Sequence, residues 1–494
     1  MQEYDHSLLS IPAILSRRTR PAKVTPVVET LDAAVDPLDA YVRLKAPGEH
    51  SFLFESADQG GKSARFSFIG STSDVIGVKD GAIYVNGKAL DYNGGPVVFL
   101  KDLLAGFEPS VPIFLGEEAP LPVFYGGLAG YIAYDFIRYL DNIGGSACDD
   151  MGCMDAELVL AKDVAVFDHR LKKLLLVAND FSNDRVDIDA ARARISRMRS
   201  ALGGTRSAPP AAVETAELDI AVPTSQEQFT NMVERAKEYI LDGDAFQIVL
   251  SQRAEVDAEI DPAVLYATLK KINPSPYMYF LEFGDAGIVG SSPEILVKVE
   301  DRKVIVRPIA GTRPRGKDMA EDIALEREMK SDPKELAEHV MLVDLGRNDV
   351  GKVSEFGSVR VDDFMSVEKY SHVQHIVSNV VGELRNDKDA IDVLAATFPA
   401  GTVSGAPKTR AMQIIEELEG RRRGLYAGCV GYFCFNQNSD LAIAIRTVLL
   451  KNGKAYVQAG AGIVMDSVPE KEYVESMNKG AAMLKALMRS VKKE

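Results

Sequence analysis

Residues 454–488 read KAYVQAGAGIVMDSVPEKEYVESMNKGAAMLKALM, and they join a predicted strand, KAYVQAGAG, to a predicted helix that begins at Pro469. Similar strand-like runs precede this segment at FQIVLSQRAEV, PYMYFLEFG, AGIVGSSPEILVKVE, KVIVRPIAG, YAGCVGYFCF and LAIAIRTVLL. One further helix is predicted over EDIALEREMK together with KELAEHVMLVDLGRND. Strands and hairpins with interspersed helices, rather than strict alternation, predict an α+β fold in which helices cover mixed sheets from outside.

The first 200 residues also contain short β-rich runs that are separated by turn signals. LVLAKDVAVFDHRLKKLLLVAND (158–180) predicts a hairpin that turns at Asp168 to Lys172. Residues 200–224 are rich in Ala, Gly, Pro and Ser, which is typical of a connection. We therefore expect an N-terminal region over 1–200, a linker over 201–224 and a C-terminal region over 225–494, with a helix starting at Thr224 to Gln226.

Composition excludes several classes of function. The 494 residues are 46% apolar and 26% charged, which is ordinary for a globular protein. A formal charge of −15 argues against nucleic acid as a partner. The start, MQEYDHSLLS, does not resemble a secretory signal, and no apolar run is long enough for a bilayer, so no membrane partner is expected. Four cysteines without metal-site spacing indicate reduced thiols and a cytoplasmic location.

Two pairs of glutamates stand three residues apart on predicted helices. Glu335 and Glu338 form one pair, and Glu472 and Glu475 form the other. Residues three apart share a helix face, so each pair directs two carboxylates one way. Two such faces that meet would need a cation between them, and their hard oxygen ligands suit Mg²⁺. The alternative is two solvated helix faces, and spacing alone does not decide between them.

Three glycine-rich segments carry basic residues: PIAGTRPRG (308–316), GTVSGAPKTR (401–410) and QAGAG (458–462). Glycine lets backbone N–H groups approach an anion, and Lys408 or Arg446 would add charge-assisted hydrogen bonds to a carboxylate. None of the segments matches a phosphate-binding or dinucleotide-binding loop, and each could simply be a turn. Arg421 to Arg423 are interpreted as a solvated basic face.

Histidines supply candidates for proton transfer. His339 follows Glu338, whereas His372 and His375 precede a strand-like run in YSHVQHIVSNVV. Each fits a catalytic or a purely structural role equally well. No cysteine lies in the glycine-flanked turn that an exposed nucleophile needs, so we expect no glutamine-hydrolysing thiol in this chain.

The ordered blocks resemble the chorismate-utilising enzymes, specifically their anthranilate synthase component I branch. The similarity covers nearly all of residues 225–485 through FQIVLSQR, NPSPYMYF, PIAGTRPRG, KELAEHVMLVDLGRND, GTVSGAPK, YAGCVGYF, AIAIRT and QAGAGIVMDSVPEKEYVES. It is thinner before residue 200, where FLFESA (52–57) and GGLAGYIAYD (126–135) carry it. The resemblance implies a four-layered α/β/β/α sandwich of mixed, mainly antiparallel sheets.

The resemblance also assigns roles to residues. It implies that Glu338 and Glu475 bind Mg²⁺, with Glu335 and Glu472 beside them. The implied substrate cradle consists of Gly311, Thr312, Lys408, Tyr426, Arg446, Gly460, Ala461 and Gly462. The implied catalytic residues are Glu294 as the acid for the departing ring hydroxyl, His375 for the aromatising step, Thr312 and Gln247.

Two positions separate the branches of this family. Aminodeoxychorismate synthases typically carry a nucleophilic lysine where this chain has Ala310, and isochorismate and salicylate synthases carry a lysine base where it has Gln247. Glutamine cannot act as that base. The expected nucleophile is therefore ammonia, and the expected reaction converts chorismate to anthranilate and pyruvate. Because the chain stops at residue 494, shortly after the last helix, we expect ammonia from a separate glutamine amidotransferase subunit.

The resemblance further implies feedback inhibition by tryptophan. The residues concerned are Ser56, Pro276, Tyr277 and Met278. An indole needs an apolar slot with a few polar anchors, and core strands are the alternative interpretation of these residues. Two alternative functions remain open from sequence: an aminodeoxychorismate synthase component I, and a non-catalytic tryptophan-binding regulator.

Overall fold

A computed structural model of the chain describes residues 11–16, 21–56, 65–205, 207–209, 216–369 and 373–491. Within these ranges the α-helices are α1 Ile11–Ser16, α2 Pro37–Leu44, α3 Gly95–Ala105, α4 Ile188–Leu202, α5 Gln226–Leu241, α6 Pro262–Ile272, α7 Met319–Ser331, α8 Pro333–Gly351, α9 Ala390–Thr397, α10 Lys408–Glu419 and α11 Pro469–Met488. Short 3₁₀ helices span Tyr134–Tyr139 and Gly401–Val403.

The strands of the first half of the chain are β1 Ala22–Asp32, β2 His50–Glu55, β3 Phe66–Thr72, β4 Val75–Lys79, β5 Ala82–Val85, β6 Lys88–Leu90, β7 Phe107–Pro109, β8 Ile113–Phe114, β9 Gly127–Ile132, β10 Ala156–Ala161, β11 Asp163–Asp168, β12 Lys173–Asp180 and β13 Ile220–Ala221. Those of the second half are β14 Gln247–Asp257, β15 Tyr277–Phe283, β16 Ala286–Ser292, β17 Ile295–Glu300, β18 Lys303–Val306, β19 Ile309–Pro314, β20 Arg360–Lys369, β21 Val373–Glu383, β22 Gly405–Ala406, β23 Cys429–Cys434, β24 Ser439–Ile443, β25 Thr447–Lys451 and β26 Lys454–Ile463.

These strands form two large sheets. The first has the order β13-β14-β26-β25-β16-β15-β2-β3-β11-β12-β1-β7, with β22 beside β14 and β8 beside β1. The second has the order β19-β21-β18-β17-β24-β23-β9-β10-β4-β5-β6, with β20 beside β21. Within the described residues, only the pairs of β1 with β7 and β8 are parallel. The expected fold of mixed, mainly antiparallel sheets is confirmed.

The two sheets pack face to face through aromatic side chains. Tyr432 of β23 lies 5.4 Å from Phe68 of β3 and 4.4 Å from Phe124, measured between ring centroids. The outer face of the first sheet is covered by α2, α4, α6 and α11, which supply Leu38, Leu265 and Met483 to a buried apolar cluster. Helices α3, α8 and α9 pack on the second sheet. This arrangement gives the α/β/β/α layers.

Several local predictions are confirmed for clear physical reasons. Strands β11 and β12 form the expected hairpin around Asp168 to Lys172. Helix α5 begins where predicted, because Ser225 caps it and forms a reciprocal capping box with Gln228. The single helix predicted over 321–349 was wrong, since α7 ends at Ser331 and α8 begins at Pro333. A proline disfavours helical backbone at the residue before it, which separates the two helices.

Both sheets contain strands from each side of the predicted linker. Strand β2 pairs with β15 in the first sheet, and β9 pairs with β23 in the second. The division at 201–224 stays a prediction, and residues 206 and 210–215 of that segment lie outside the described residues. In the described part of the chain, every helix lacks the length or the apolar content that crossing a membrane requires.

Candidate active site

Glu294 lies in the turn between β16 and β17, next to groups that control its protonation. Its carboxylate oxygen Oε1 accepts a hydrogen bond of 2.8 Å from the Thr402 hydroxyl. Burial raises the pKa of Glu294 to about 7, although the Thr402 hydrogen bond and the charges of Arg446 and Lys479 oppose the rise. A carboxyl group with this pKa is available as a proton donor near neutral pH.

His375 on β21 lies opposite Thr312 of β19 in the sheet. Its Nδ1 is 2.9 Å from the carbonyl oxygen of Gly311 and 3.1 Å from the Thr312 hydroxyl. A carbonyl only accepts, so Nδ1 carries the hydrogen and Nε2 carries the lone pair of the neutral ring. Burial lowers the pKa of His375, which favours that neutral form. The histidine is therefore set up as a base at Nε2.

Gly311 connects His375 to the first carboxylate pair. Its φ of +66° lies in the left-handed region that favours glycine. A Cβ at this position would lie 3.3 Å from Oε2 of Glu335, so the backbone passes close to that side chain. Glu335 also forms an ion pair of 2.9 Å with Arg313.

Glu338 follows Glu335 by three residues on α8 and is half-buried. Burial raises its pKa, and the neighbouring Glu335 raises it further, while a hydrogen bond from Gln247 and the charge of Lys479 lower it. Gln247, at the start of β14, is buried, and its Nε2 lies 2.7 Å from where a Cβ on Gly462 would be. The structure therefore brings Gln247, Glu338 and the glycine-rich strand β26 together.

The second carboxylate pair lies in the first turns of α11. Glu475 is exposed and forms an ion pair of 2.8 Å with Lys479, whose ammonium also donates to the Gly460 carbonyl at 3.1 Å. Lys479 also acts electrostatically on Glu338, so its charge affects acidic groups of both α8 and α11. Glu472 is half-buried one turn before Glu475. Among the described residues, no three acidic, histidine or cysteine side chains are close enough to share a metal ion.

Arg446 lies close to the candidate acid and base, and Tyr426 lies near the glycine-rich strand β26. Within the described ranges, Arg446 forms no ion pair, although it is half-buried and burial lowers its pKa. The Tyr426 hydroxyl lies 2.9 Å from where a Cβ on Gly460 would be, and Ala461 is fully buried. A guanidinium without an ion-pair partner among the described residues, close enough to act on Glu294 and His375, is suited to hold an anion.

Lys408 is placed differently from Arg446. Its ammonium forms an ion pair of 2.7 Å with buried Asp349 and donates to the Thr397 carbonyl at 2.9 Å. Burial lowers the pKa of Lys408 despite the carboxylate. Its role in the cradle stays a prediction, and two protein groups already bind the ammonium.

Among the basic residues interpreted as a solvated face, Arg423 was assigned wrongly. Only 1% of its side chain is exposed, because it pairs with Glu419 in the protein interior. The sequence gives no sign of this, since a run of three arginines is typical of a surface.

His339 is buried with Nε2 2.6 Å from the Ser378 hydroxyl, and His372 lies outside the described residues. Ala310, at the position of the family's alternative nucleophile, is buried in β19.

The residues that are predicted to bind tryptophan lie on or beside two neighbouring strands, β2 and β15. Met278 of β15 pairs with Glu55 of β2, so Tyr277 lies beside Ser56. Within the described residues, the buried hydroxyl oxygen of Ser56 has no hydrogen-bond partner. Tyr277 in turn pairs with Ser292, two residues before Glu294. The tryptophan site stays a prediction, but β15 and β16 connect its residues directly to the candidate acid.

Two residues that contact the candidate site, Thr402 and Lys479, are not among the residues predicted from sequence. Thr402 stands within GTVSGAPK, yet only the fold places its hydroxyl on Glu294. Lys479 follows Glu475 by four residues, a spacing that would have predicted an ion pair on one helix face. Neither lysine nor threonine is distinctive in sequence, so neither was singled out.

Comparisons with known proteins agree with this geometry. A family model described as chorismate binding enzyme matches residues 100–485. The chain is 47% identical to anthranilate synthase component 1 of Acetivibrio thermocellus, with 88% of this chain and 90% of that protein aligned. It is 45% identical to the Aquifex aeolicus protein of the same name, covering 91% and 92%. The crystal structure of anthranilate synthase component I from Streptococcus pneumoniae superposes with a TM-score of 0.76 at 39% identity, covering 92% and 98%.

Proposed function

The chain belongs to the chorismate binding enzyme family, among its anthranilate synthase component 1 members, and we propose that it converts chorismate and ammonia to anthranilate, pyruvate and water. This reaction makes it a carbon-oxygen lyase. It would act in the cytoplasm, where free cysteines such as the four of this chain stay reduced.

One observation carries the proposal: a carboxyl group that titrates near neutral pH lies beside an arginine that forms no ion pair in the described part of the chain. Glu294 is the carboxyl group, with a pKa raised to about 7 by burial, and Arg446 is the arginine. Chorismate is a dicarboxylate with a ring hydroxyl that must leave. An unpaired guanidinium binds a carboxylate, and a protonated carboxyl group protonates a leaving hydroxyl.

The first step adds ammonia to ring carbon 2 while the hydroxyl leaves carbon 4. The nitrogen lone pair forms the new bond, the ring double bonds shift, and the hydroxyl takes the Glu294 proton and departs as water. Arg446 and the backbone of Gly460 to Gly462 hold the ring in place. Ala310 and Gln247 offer no competing amine, so the nucleophile comes from outside the protein.

In the second step the proton on carbon 2 is removed, and its electron pair forms the last ring double bond as the bond from carbon 3 to the enolpyruvyl oxygen breaks. The ring becomes aromatic, and the released enolpyruvate takes up a proton to become pyruvate. His375 is the proposed base for this step, because Nε2 holds its lone pair and the pKa is lowered by burial. The Gly311 carbonyl and the Thr312 hydroxyl fix the ring through Nδ1. These contacts orient the base before substrate arrives.

Magnesium fits the donor set of the two acidic helices. Glu338 and Glu475 would hold the ion through their carboxylate oxygens, with Glu335 and Glu472 on the same two helices. In the structure the Lys479 ammonium pairs with Glu475 and acts electrostatically on Glu338, so Mg²⁺ would have to displace it. When bound, Mg²⁺ would neutralise a chorismate carboxylate and draw electron density away from the ring, which favours loss of the hydroxyl.

The decisive test is incubation of pure protein with chorismate, Mg²⁺ and an ammonium salt at alkaline pH. We expect anthranilate fluorescence together with pyruvate release. A stable aminated product without pyruvate would instead show an aminodeoxychorismate synthase. Binding of tryptophan without any turnover of chorismate would show a regulator.

We further propose that a glutamine amidotransferase subunit supplies the ammonia and that tryptophan inhibits the enzyme. Co-purification with that subunit should give glutamine-driven activity, whereas the chain alone should need added ammonium. The position of Ser56 next to Tyr277 of β15, which pairs with Ser292 two residues before Glu294, supports a tryptophan site coupled to catalysis. Since the chain contains no tryptophan, indole fluorescence reports binding without protein background.

A further inference from the structure

Arg423 is the largest of the fully buried side chains among the described residues. Its guanidinium donates from Nη1 to the Val403 carbonyl at 2.7 Å and from Nη2 to the Val249 carbonyl at 2.7 Å. It also contacts both oxygens of Glu419, from Nε at 2.9 Å and from Nη2 at 2.6 Å. Burying a charge is costly unless it is fully partnered, so this arginine is held in one position.

The two carbonyls belong to segments that bear on the candidate site. Val403 follows Thr402, whose hydroxyl donates to Glu294. Val249 lies on β14, opposite Gly462 of β26. One guanidinium therefore connects the turn that contacts the acid with the strand that supports the glycine-rich cradle.

Arg423 also reaches the cradle through Tyr426 and Glu419. The guanidinium carbon is 5.5 Å from the centre of the Tyr426 ring, and the hydroxyl of that ring lies against Gly460. Oε1 of Glu419 accepts hydrogen bonds from the backbone N–H of Ser251 at 2.8 Å and from its hydroxyl at 2.9 Å. Ser251 pairs with Gly460 in the sheet, so both routes end at the same glycine.

The N-terminal motif GGLAGYIAYD covers the other side of this arginine. The Tyr134 ring centre lies 4.9 Å from the guanidinium carbon. Backbone N–H of Tyr134 donates to the Gly424 carbonyl at 2.8 Å, and Gly424 N–H donates to Asp135 at 2.9 Å. The motif thus has a role at the candidate site, although none of its residues is assigned to the cradle.

We propose that Arg423 is a positioning residue for chorismate binding. It fixes Tyr426, Gly460 and Thr402 relative to one another through the contacts described above. Lysine cannot replace it, because one ammonium cannot reproduce the planar set of donors that binds two carbonyls and a carboxylate. The identity of the ligand rests on the proposed function, whereas the contacts of Arg423 do not.

The test compares Arg423→Lys with Arg194→Lys in steady-state assays of chorismate and ammonium. Arg194 is a matched control, since it is also buried and binds a carboxylate, Asp163, and a carbonyl, Asn179, but it lies on α4 in the N-terminal region. We expect both variants to lose thermal stability. Only Arg423→Lys should raise the KM for chorismate, by about tenfold, with a smaller fall in kcat.

A double-mutant cycle with Tyr426→Phe measures whether the two substitutions are coupled in their effects on the KM for chorismate. A purely structural role of Arg423 would give no such coupling. Because Arg423 acts through Tyr426, the effects on KM should be less than additive, whereas Arg194→Lys and Tyr426→Phe should combine additively. If Arg423→Lys does not fold, Glu419→Gln takes its place in the same cycle. It keeps the shape of the side chain and leaves both carbonyl contacts, so a KM rise of about threefold is expected.

Equal KM values in the Arg423→Lys and Arg194→Lys variants, or strict additivity with Tyr426→Phe, would overturn the proposal. Failure of the proposed function is a separate outcome. In that case the wild-type protein itself would form no anthranilate. Chorismate affinity would then be measured as a ligand-induced shift of the melting temperature, and an Arg423→Lys shift equal to that of Arg194→Lys would again reject the positioning role.

Discussion

Two regions of the molecule hold a carboxyl group whose pKa is raised to about 7 by burial: Glu294, between β16 and β17, and Glu157, on β10. Glu157 accepts a hydrogen bond of 3.2 Å from the Tyr131 hydroxyl, and His50 lies 3.8 Å away. His50 and Tyr131 both pack near the ring of Phe283, at 5.5 and 6.3 Å between ring centroids. The region around Glu157 is thus part of the packed interior.

The region around Glu294 differs in what remains available to a ligand. Its neighbour Arg446 forms no ion pair within the described residues, and the charge of Arg446 acts on both Glu294 and His375. A shifted pKa is therefore a poor marker of a site by itself, because burial produces it in both places. The distinguishing feature of the Glu294 region is Arg446, a charged side chain without an ion-pair partner among the described residues, next to the carboxyl group whose pKa is raised.

The largest expected effect comes from Glu294→Gln. Glutamine keeps the size and one hydrogen-bond acceptor of the side chain but has no acidic proton, so the ring hydroxyl would have to leave unassisted. We expect kcat to fall about 1,000-fold, in the range of a lost general acid. Anthranilate fluorescence with saturating chorismate, Mg²⁺ and ammonium measures it.

Glu157→Gln is the matched control in the second region. Turnover should stay within about twofold of the wild-type value. Because the pKa of Glu157 is raised to about 7, its ionised form is disfavoured in the folded state, and this cost grows as pH rises from the unfolded value near 4.5. The variant should therefore melt higher than wild type at about pH 8 and equally at about pH 4. Equal losses of turnover in the two variants would contradict the assignment of Glu294.

The next largest effect is expected for Glu475→Ala. Loss of one proposed metal ligand should lower turnover about 100-fold and raise the Mg²⁺ concentration needed for half-maximal rate. Tryptophan binding, followed by indole fluorescence, should be unchanged, since Ser56 follows β2 and Tyr277 lies on β15, not on α11. Loss of both properties would indicate misfolding, and an unchanged Mg²⁺ requirement would exclude Glu475 as a ligand.

Arg446→Met and Lys408→Met compare an arginine that forms no ion pair among the described residues with a lysine that does. Removing Arg446 should raise the KM for chorismate about 10- to 100-fold, which is the value of a charge-assisted hydrogen bond. Removing Lys408 leaves the buried Asp349 carboxylate with only its ion pair of 3.0 Å to the exposed Lys352, so the free energy of unfolding should fall by about 1–3 kcal/mol. Urea denaturation measures the second effect. A Lys408→Met variant of wild-type stability, together with an unchanged KM for Arg446→Met, would contradict both the structural role of Lys408 and the substrate-binding role of Arg446.

The sequence predicted the type and order of most elements because their signals are local. Alternation, turn residues and the cap at Ser225 act over a few positions, and they correctly indicated the hairpin at 168–172 and the start of α5. Similarity to family motifs then predicted that residues far apart in the sequence, such as Glu294 and His375, belong to one site. The burial of Arg423 could not be predicted, since its partners Val249 and Val403 are brought to it only by the sheet and the turn.

The same limit applies to the protonation of the candidate acid. SSPE contains a glutamate, but its pKa depends on burial by segments that are remote in sequence, including Thr402. Similarly, nothing near Lys408 indicates that its ammonium is held by Asp349. Sequence patterns thus predict which residues take part, whereas the fold determines which charges are neutralised.

The smallest predicted effect tests this dependence directly through Thr402→Val. The Thr402 hydrogen bond favours the ionised form of Glu294, so losing it should raise the pKa of that carboxyl group. In the wild type, kcat/KM for chorismate at a constant concentration of unprotonated ammonia should fall above about pH 7, where Glu294 loses its proton. In Thr402→Val the fall should begin about half to one pH unit higher, as expected for one hydrogen bond. Thr402→Ser retains the hydroxyl and should keep the wild-type profile, and a shift in that variant as well, or in neither, would mean that another group controls the fall.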